Sequence, residues 1–162
     1  MRRLAVAISV VVIVVATLAD AGFEVTATKD RRPTCFGKKA TIVLKPGQTR
    51  EGTPGNDVIV GTEGPDFILS NGGIDRICGK GGDDLLRSFD PGNDILHGLE
   101  GQDEVQGNDG NDKVNGQEGN DGLLGGGGAD TLDGGHGIDD LSGGQGEDTC
   151  RQDDFPDPAV AC

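Results

Sequence analysis

Residues 125–142 read GGGGADTLD and then GGHGIDDLS, two consecutive nine-residue units with the same layout. Each unit has Gly at its first and fourth positions, Asp at its sixth and Leu at its eighth. Glycine reaches positive φ without a steric cost, so the first half of the unit can turn sharply. A single aliphatic residue between polar neighbours is typical of a short strand with one side chain pointing inward. Each unit therefore predicts a turn followed by a minimal three-residue strand.

The same unit extends along most of the chain. Gly-x-Asp recurs from Gly55 to Asp148 at steps of nine residues, except for one step of ten where Pro91 adds a residue. An apolar residue follows each of these aspartates by two positions, from Ile59 to Cys150. A flexible Gly/Asp-rich linker would lack this regular apolar residue. The sixth position of the eleven units is held by Asp57, Asp66, Asp75, Asp84, Asp94, Asp103, Asp112, Asp121, Asp130, Asp139 and Asp148.

Two units, read as strand, turn, strand, turn, make one coil of about 18 residues. Stacked coils pair the short strands into two parallel sheets and place aspartates that are two units apart on the same side. The sequence predicts an all-β fold, a right-handed parallel β-roll of about five to six coils over residues 52–151, with short capping segments.

The nonapeptide G-G-x-G-x-D-x-U-x, where U is a large apolar residue, resembles the RTX or hemolysin-type calcium-binding repeat. Residues 125–142 match it at every defined position. The resemblance implies a roll that holds Ca²⁺ between turns stacked on the same side, through loop carbonyls and the sixth-position Asp. Ser70 and Ser88 replace the first Gly of their units and Pro91 is an insertion. We therefore expect the weakest sites in the third and fifth units.

The residues also favour Ca²⁺ on chemical grounds. Ca²⁺ takes six to eight oxygen ligands and tolerates irregular geometry, whereas Mg²⁺ requires rigid octahedra and zinc prefers His or Cys. Eleven units allow at most about nine sites between same-side neighbours. Without metal, the stacked carboxylates repel one another, and one buried aliphatic residue per nine is a thin core. We expect folding to depend on several bound Ca²⁺ ions.

Composition and charge exclude several function classes. The chain has 28 acidic and 14 basic residues, a net charge of −14, with no Trp or Tyr. This balance opposes binding to nucleic acid and favours calcium ions as partners. The sequence has no H-E-x-x-H or G-x-S-x-G motif and no non-repeat segment large enough for a catalytic domain, which predicts a protein without an enzyme substrate.

The ends of the chain predict export and capping. Arg2 and Arg3, an apolar run and small residues near Ala21 are typical of a secretory signal peptide over residues 1–21. An uncleaved anchor is the alternative, although the run falls short of the roughly 20 residues that span a bilayer. Residues 22–51 have seven basic and three acidic residues and predict a basic N-terminal capping segment with one strand, at residues 41–44. Residues 152–162 form a predicted C-terminal cap.

Four cysteines in an exported chain predict two disulfide bonds. Three connectivities are possible, and proximity in the sequence favours Cys35–Cys78 with Cys150–Cys162. Together, these features predict a secreted, monomeric, non-enzymatic calcium-binding protein. The alternative is an envelope-associated or adhesive module, in which the roll is a spacer and the basic segment or an apolar face binds a cell-envelope or protein partner.

Overall fold

A computed structural model describes residues 32–153 and 159–162, so the predicted signal peptide lies outside the described residues. No helix long and apolar enough to cross a membrane is found in this part of the chain. The strands are β1 (Thr34–Cys35), β2 (Lys38–Lys39), β3 (Ile42–Val43), β4 (Thr49–Glu51), β5 (Val58–Val60), β6 (Phe67–Leu69), β7 (Arg76–Gly81), β8 (Leu85–Arg87), β9 (Ile95–Glu100), β10 (Glu104–Asp109), β11 (Lys113–Glu118), β12 (Gly122–Gly127), β13 (Thr131–His136), β14 (Asp140–Gln145), β15 (Thr149–Arg151) and β16 (Ala159–Ala161).

The strands from β3 onward alternate between two parallel seven-stranded sheets. One sheet contains the odd-numbered strands β3 to β15 and the other contains the even-numbered strands β4 to β16. Strands pair with the strand one coil away, as in the register Leu123↔Leu141. Across the Pro91 insertion the register lengthens by one residue, to Ile77↔Leu96, without any break in pairing. The predicted all-β parallel β-roll is confirmed.

The core is a single column of aliphatic side chains between the two sheets. The predicted inward residue of each unit is buried, from Ile59 through Leu141, and Cys150 packs against the end of the column. Leu44 extends the column at the N-terminal end. Because each unit contributes only one such side chain, the apolar core stays thin along its whole length.

Strand length differs from the three residues predicted. Seven strands, β7 and β9 to β14, have six residues each. In these strands the pairing continues into the turn, as at Asn108↔Gly126. The residue after the first glycine of the unit adopts a positive φ there, 68° at Asn108 and 80° at Gln117. The chain can therefore begin to turn while it still pairs with the next coil.

Residues 32–51, the described part of the predicted N-terminal capping segment, contain β3 within the predicted strand at residues 41–44 and three further strands, β1, β2 and β4. Strands β1 and β2 form an antiparallel hairpin. Strand β3 pairs with β5 and β4 pairs with β6, both in parallel, so residues 42–51 form the first coil of the roll. The sequence pattern missed β1, β2 and β4 because they have only two or three residues each and lack the Gly-x-Asp turn. At the other end, β16 pairs with β14 and completes the last coil.

The hairpin packs on the outer face of the first coils. Cys35 and Ala40 are buried against Val60 and Cys78, away from the central column. The ring of Phe36 lies 3.8 Å from that of His97, measured between centroids. The two disulfide bonds are Cys35–Cys78, with Cα atoms 5.8 Å apart, and Cys150–Cys162, with Cα atoms 6.0 Å apart. This is the pairing that sequence proximity favours.

The Cys35–Cys78 bond joins the hairpin to the roll across a separation of 43 residues. We expect the double variant Cys35→Ser/Cys78→Ser to lower the free energy of unfolding by roughly 3–4 kcal/mol, because the unfolded chain regains the entropy of a long loop. Denaturant unfolding in saturating Ca²⁺ measures this change. Cys150→Ser/Cys162→Ser, which opens a loop of only 12 residues' separation, should cost less. Equal losses would contradict this prediction.

Candidate metal sites

The eleven predicted aspartates lie in two rows, one on each side of the roll, and ten of them are buried. Each row is a hydrogen-bonded ladder. The backbone N–H of each Asp from Asp57 to Asp130 donates to Oδ1 of the Asp one coil further along, at 2.8 Å from Asp57 to Asp75 and 2.9 Å from Asp121 to Asp139. Nine such bonds connect successive coils, with lengths of 2.7–2.9 Å. The ladder orients the nine carboxylates from Asp75 to Asp148 and leaves the second oxygen of each for other partners.

Seven of the turns are regular turns, defined by a residue with positive φ directly after the first glycine. These turns precede Asp84, Asp103, Asp112, Asp121, Asp130, Asp139 and Asp148. In the regular turns before five of these aspartates, Asp84, Asp103, Asp112, Asp121 and Asp130, the second carboxylate oxygen is buried and has no hydrogen-bond partner. A buried charged oxygen without a partner is costly, so these turns require a cation or a proton.

Backbone carbonyls converge on the same places. A Cβ atom added to Gly116 would collide with Oδ2 of Asp121 and would stand 2.7 Å from the carbonyl oxygen of Gly134, one coil further along. Gly107 has the same surroundings, with Oδ2 of Asp112 and the carbonyl oxygen of Gly125. At each such position, carboxylate and carbonyl oxygens surround a small space that the Cβ of any residue other than glycine would fill. Oxygen donors of this kind, carboxylate and carbonyl together, fit Ca²⁺.

The first two repeat turns are threonine-capped turns. The backbone N–H of Thr53 donates to Oδ2 of Asp57 at 2.6 Å, and the Thr53 hydroxyl also donates to that oxygen. The N–H of Thr62 donates to Oδ2 of Asp66 at 2.6 Å. Neither threonine has the positive φ that defines the regular turns. The protein itself therefore supplies donors to this oxygen of Asp57 and Asp66, whereas the corresponding oxygen has no donor in the five regular turns named above.

The remaining two turns are serine turns. Ser88 stands in place of the first glycine, and its hydroxyl donates to Oδ2 of Asp94. Ser70 occupies the corresponding place before Asp75. Burial raises the pKa of Asp75, and the Ser70 hydroxyl beside the carboxylate offsets part of this rise, although the two groups do not meet in hydrogen-bond geometry. The two serines therefore interact differently with their carboxylates.

Burial changes the acidity of the stacked carboxyls. It raises the pKa of Asp84, Asp112 and Asp121 to about 7 and that of Asp75 to about 6. The ladder hydrogen bonds lower these pKa values, and the charges of neighbouring aspartates raise them further. Burial moves the pKa in the same direction at three further positions, Asp94, Asp103 and Asp130. Without a cation, the folded roll thus holds several of these carboxyls in the neutral form near neutral pH.

This acidity predicts the pH dependence of the metal-free protein. An unfolded chain loses these protons near pH 4, whereas the folded roll keeps them up to about pH 6–7. The folded state binds more protons over this interval, so the free energy of unfolding falls as the pH rises through it. We expect circular dichroism in metal-free buffer to show more β structure at about pH 5 than at about pH 7.5. A β signal that grows with rising pH would contradict the burial of these carboxyls.

Asparagine side chains form a second ladder, which the repeat pattern did not predict. Oδ1 of Asn111 accepts the backbone N–H of Ala129 at 2.8 Å, and Oδ1 of Asn120 accepts that of Ile138 at 2.8 Å. Asn93 makes the same bond to the N–H of Asn111. The signal was present in the Gly-Asn-Asp tripeptides at the fourth to sixth positions of several units. These bonds tie the turns of successive coils together on the outside of the aspartate rows.

Comparisons with known proteins agree with this geometry. The family model described as the RTX calcium-binding nonapeptide repeat, in four copies, matches residues 51–86, 90–123 and 123–150, which is more than half of the chain. The interval between the first two matches contains Ser88, next to the Pro91 insertion. No curated protein and no solved structure gave a significant match.

Proposed function

Because the chain belongs to the RTX calcium-binding nonapeptide-repeat family, we propose that it is an exported, non-enzymatic protein that folds as it binds several Ca²⁺ ions. The observation that carries this proposal is the set of buried carboxylate oxygens without partners in the regular turns. They face glycine carbonyls of the next coil, so each stacked pair of regular turns offers several oxygen ligands. A bound Ca²⁺ ion would neutralise the stacked carboxylates and replace the donors that the protein lacks.

The regular turns identify the sites that we propose to be the strongest. Five of the nine predicted inter-coil sites lie between two regular turns, three in one row and two in the other. In the first row these sites join Asp84 to Asp103, Asp103 to Asp121 and Asp121 to Asp139; in the second they join Asp112 to Asp130 and Asp130 to Asp148. The sites next to Asp57 and Asp66 would bind more weakly, because threonine donors already occupy one carboxylate oxygen there.

The proposed non-enzymatic role is based on the structural use of the sixth-position aspartates within the roll. The sixth-position aspartates are held by the ladder and face glycine backbone rather than an open cleft. Their alternation with glycine carbonyls suits a hard cation. Export rests on the sequence of residues 1–21 and is supported by the two disulfide bonds, which are typical of oxidising compartments.

Calorimetric titration tests the calcium function. We expect about five ions to bind per chain with the highest affinity, and Mg²⁺ at the same concentration to bind far more weakly, because it keeps its water ligands and demands octahedral geometry. A chain that binds no Ca²⁺ at millimolar concentration would contradict the proposal.

Mass spectrometry of culture fractions tests export. We expect the protein in the medium to begin at Gly22, to contain no free thiols and to elute as a monomer. Release of cell-bound protein on addition of a chelator would instead favour the envelope-associated module. Retention of Met1 in a chain with four alkylatable thiols would contradict export altogether.

A further inference from the structure

The Pro91 insertion brings an additional carboxylate into the roll. Asp90, directly before Pro91, lies with Asp75 and Asp94 in a group whose three potential ligand atoms are all within 4.8 Å of one another. Within residues 32–153 and 159–162, it is the one group of three acidic, His or Cys side chains placed this closely. Asp90 does not belong to the repeat pattern, so the repeat does not account for this site.

Each of the three side chains is held in place by the fold. Oδ2 of Asp90 accepts the backbone N–H of Gly73 at 2.8 Å. Oδ1 of Asp94 accepts the backbone N–H of Asp75 at 2.7 Å, while the Ser88 hydroxyl donates to its other oxygen. These bonds attach the insertion to the neighbouring coil and bring its carboxylate to the row.

Two buried polar groups at this place lack partners. Asp75 is fully buried and its Oδ2 accepts no hydrogen bond. The hydroxyl of Ser70, also fully buried, lies beside that carboxylate and has no hydrogen-bond partner either. No lysine or arginine of the described chain forms an ion pair with any of the three carboxylates. A bound cation would balance the charges of the three carboxylates and give Oδ2 of Asp75 and the Ser70 hydroxyl a partner.

We propose that Asp75, Asp90 and Asp94 form a calcium site of three carboxylates, chemically distinct from the sites between regular turns. This inference rests on the proposed calcium-binding function. Ligand oxygens separated by up to 4.8 Å can contact one ion at the 2.3–2.6 Å distances of Ca²⁺. A third carboxylate raises the charge of the site, and ligand charge is one of the quantities that sets Ca²⁺ affinity. The carboxylate of Asp90 would thus offset the loss of Ca²⁺ affinity expected where Ser70 and Ser88 replace glycines.

The variant Asp90→Asn tests the site. Its amide oxygen can still accept the Gly73 N–H, so the turn keeps its hydrogen bond while the charge is lost. We expect calorimetric titration with Ca²⁺ to find one ion fewer per chain than in the unchanged protein. Asp140→Asn is the matched control, because it removes one charge from an exposed strand position outside the group and should leave the stoichiometry unchanged. An unchanged stoichiometry for Asp90→Asn would overturn the proposal.

A structure of the unchanged protein crystallised with Ca²⁺ gives an answer that does not depend on the variant's folding. We expect an ion within coordination distance of all three carboxylates. Ions between the regular turns with none at this group would overturn the three-carboxylate site and leave the proposed function intact. A chain without any bound Ca²⁺ would overturn both.

Discussion

With Ca²⁺ removed at neutral pH, we expect residues 22–162 to give the far-ultraviolet spectrum of a largely disordered chain, and millimolar Ca²⁺ to convert it to β structure. The reason is that the folded roll buries one aliphatic side chain per unit but also stacks acidic groups along two rows. The entropy cost of ordering nine residues exceeds what one such side chain contributes. Ions that bind only the folded roll supply the missing stabilisation by mass action.

The control for this measurement is MgCl₂ at equal ionic strength. General screening would act equally with either salt, whereas specific coordination responds to Ca²⁺ alone. The oxidised protein should be used, so that both disulfide bonds are present in every sample. A full β spectrum that survives exhaustive chelation at neutral pH would show that the roll is stable without metal.

The second large effect is expected from Asp121→Asn. Asp121 lies between two regular turns and contributes to two proposed sites, one shared with Asp103 and one shared with Asp139. The substitution should lower the Ca²⁺ stoichiometry by about two and raise the Ca²⁺ concentration at the folding midpoint by roughly tenfold. Titration followed by circular dichroism gives the midpoint, and calorimetry gives the number of ions.

Asp66→Asn is the matched comparison in a threonine-capped turn. Oδ2 of Asp66 accepts the Thr62 N–H, while its Oδ1 is buried without a partner. An asparagine can keep the first bond and place its amide group at the second position. We expect only a small shift of the Ca²⁺ midpoint. If both variants shift the midpoint equally, the division between regular and threonine-capped turns does not rank the sites.

Much of the architecture could be predicted because the spacing of the repeat determines it. The spacing of Ile59, Ile77 and the later inward residues requires the 18-residue coil, and the aspartates then fall into two rows. The ladder N–H bonds follow from the same stacking but could not be read from residue types, because they join backbone to side chain across a coil. The metal-binding aspartates were inferred from the resemblance and from oxygen chemistry, and the substitutions at Ser70 and Ser88 and the Pro91 insertion predicted the weakest sites in the third and fifth units.

In two of the regular turns the backbone conformation could not be predicted from the sequence, for a physical reason. Lys80 and Leu99 adopt φ of 95° and 93° in regular turns, a region that neither residue type favours. Stacking against the next coil imposes this conformation on them, and no local preference indicates it. The position of Asp90 was equally hidden, because the path of a one-residue insertion depends on the neighbouring coil. Gly73, whose N–H holds Asp90, is 17 residues away in the sequence.

Because successive units alternate between the two sheets, the effect of a change in length depends on whether an even or an odd number of units is lost. Loss of one nine-residue unit from the regular region would preserve every local pattern, yet each later strand would join the opposite sheet and present its outward residues to the opposite side. Loss of two units, such as residues 107–124, would return every later strand to its own sheet and each aspartate to its own row. Natural or engineered relatives of different length should therefore keep their surfaces only when they differ by whole coils.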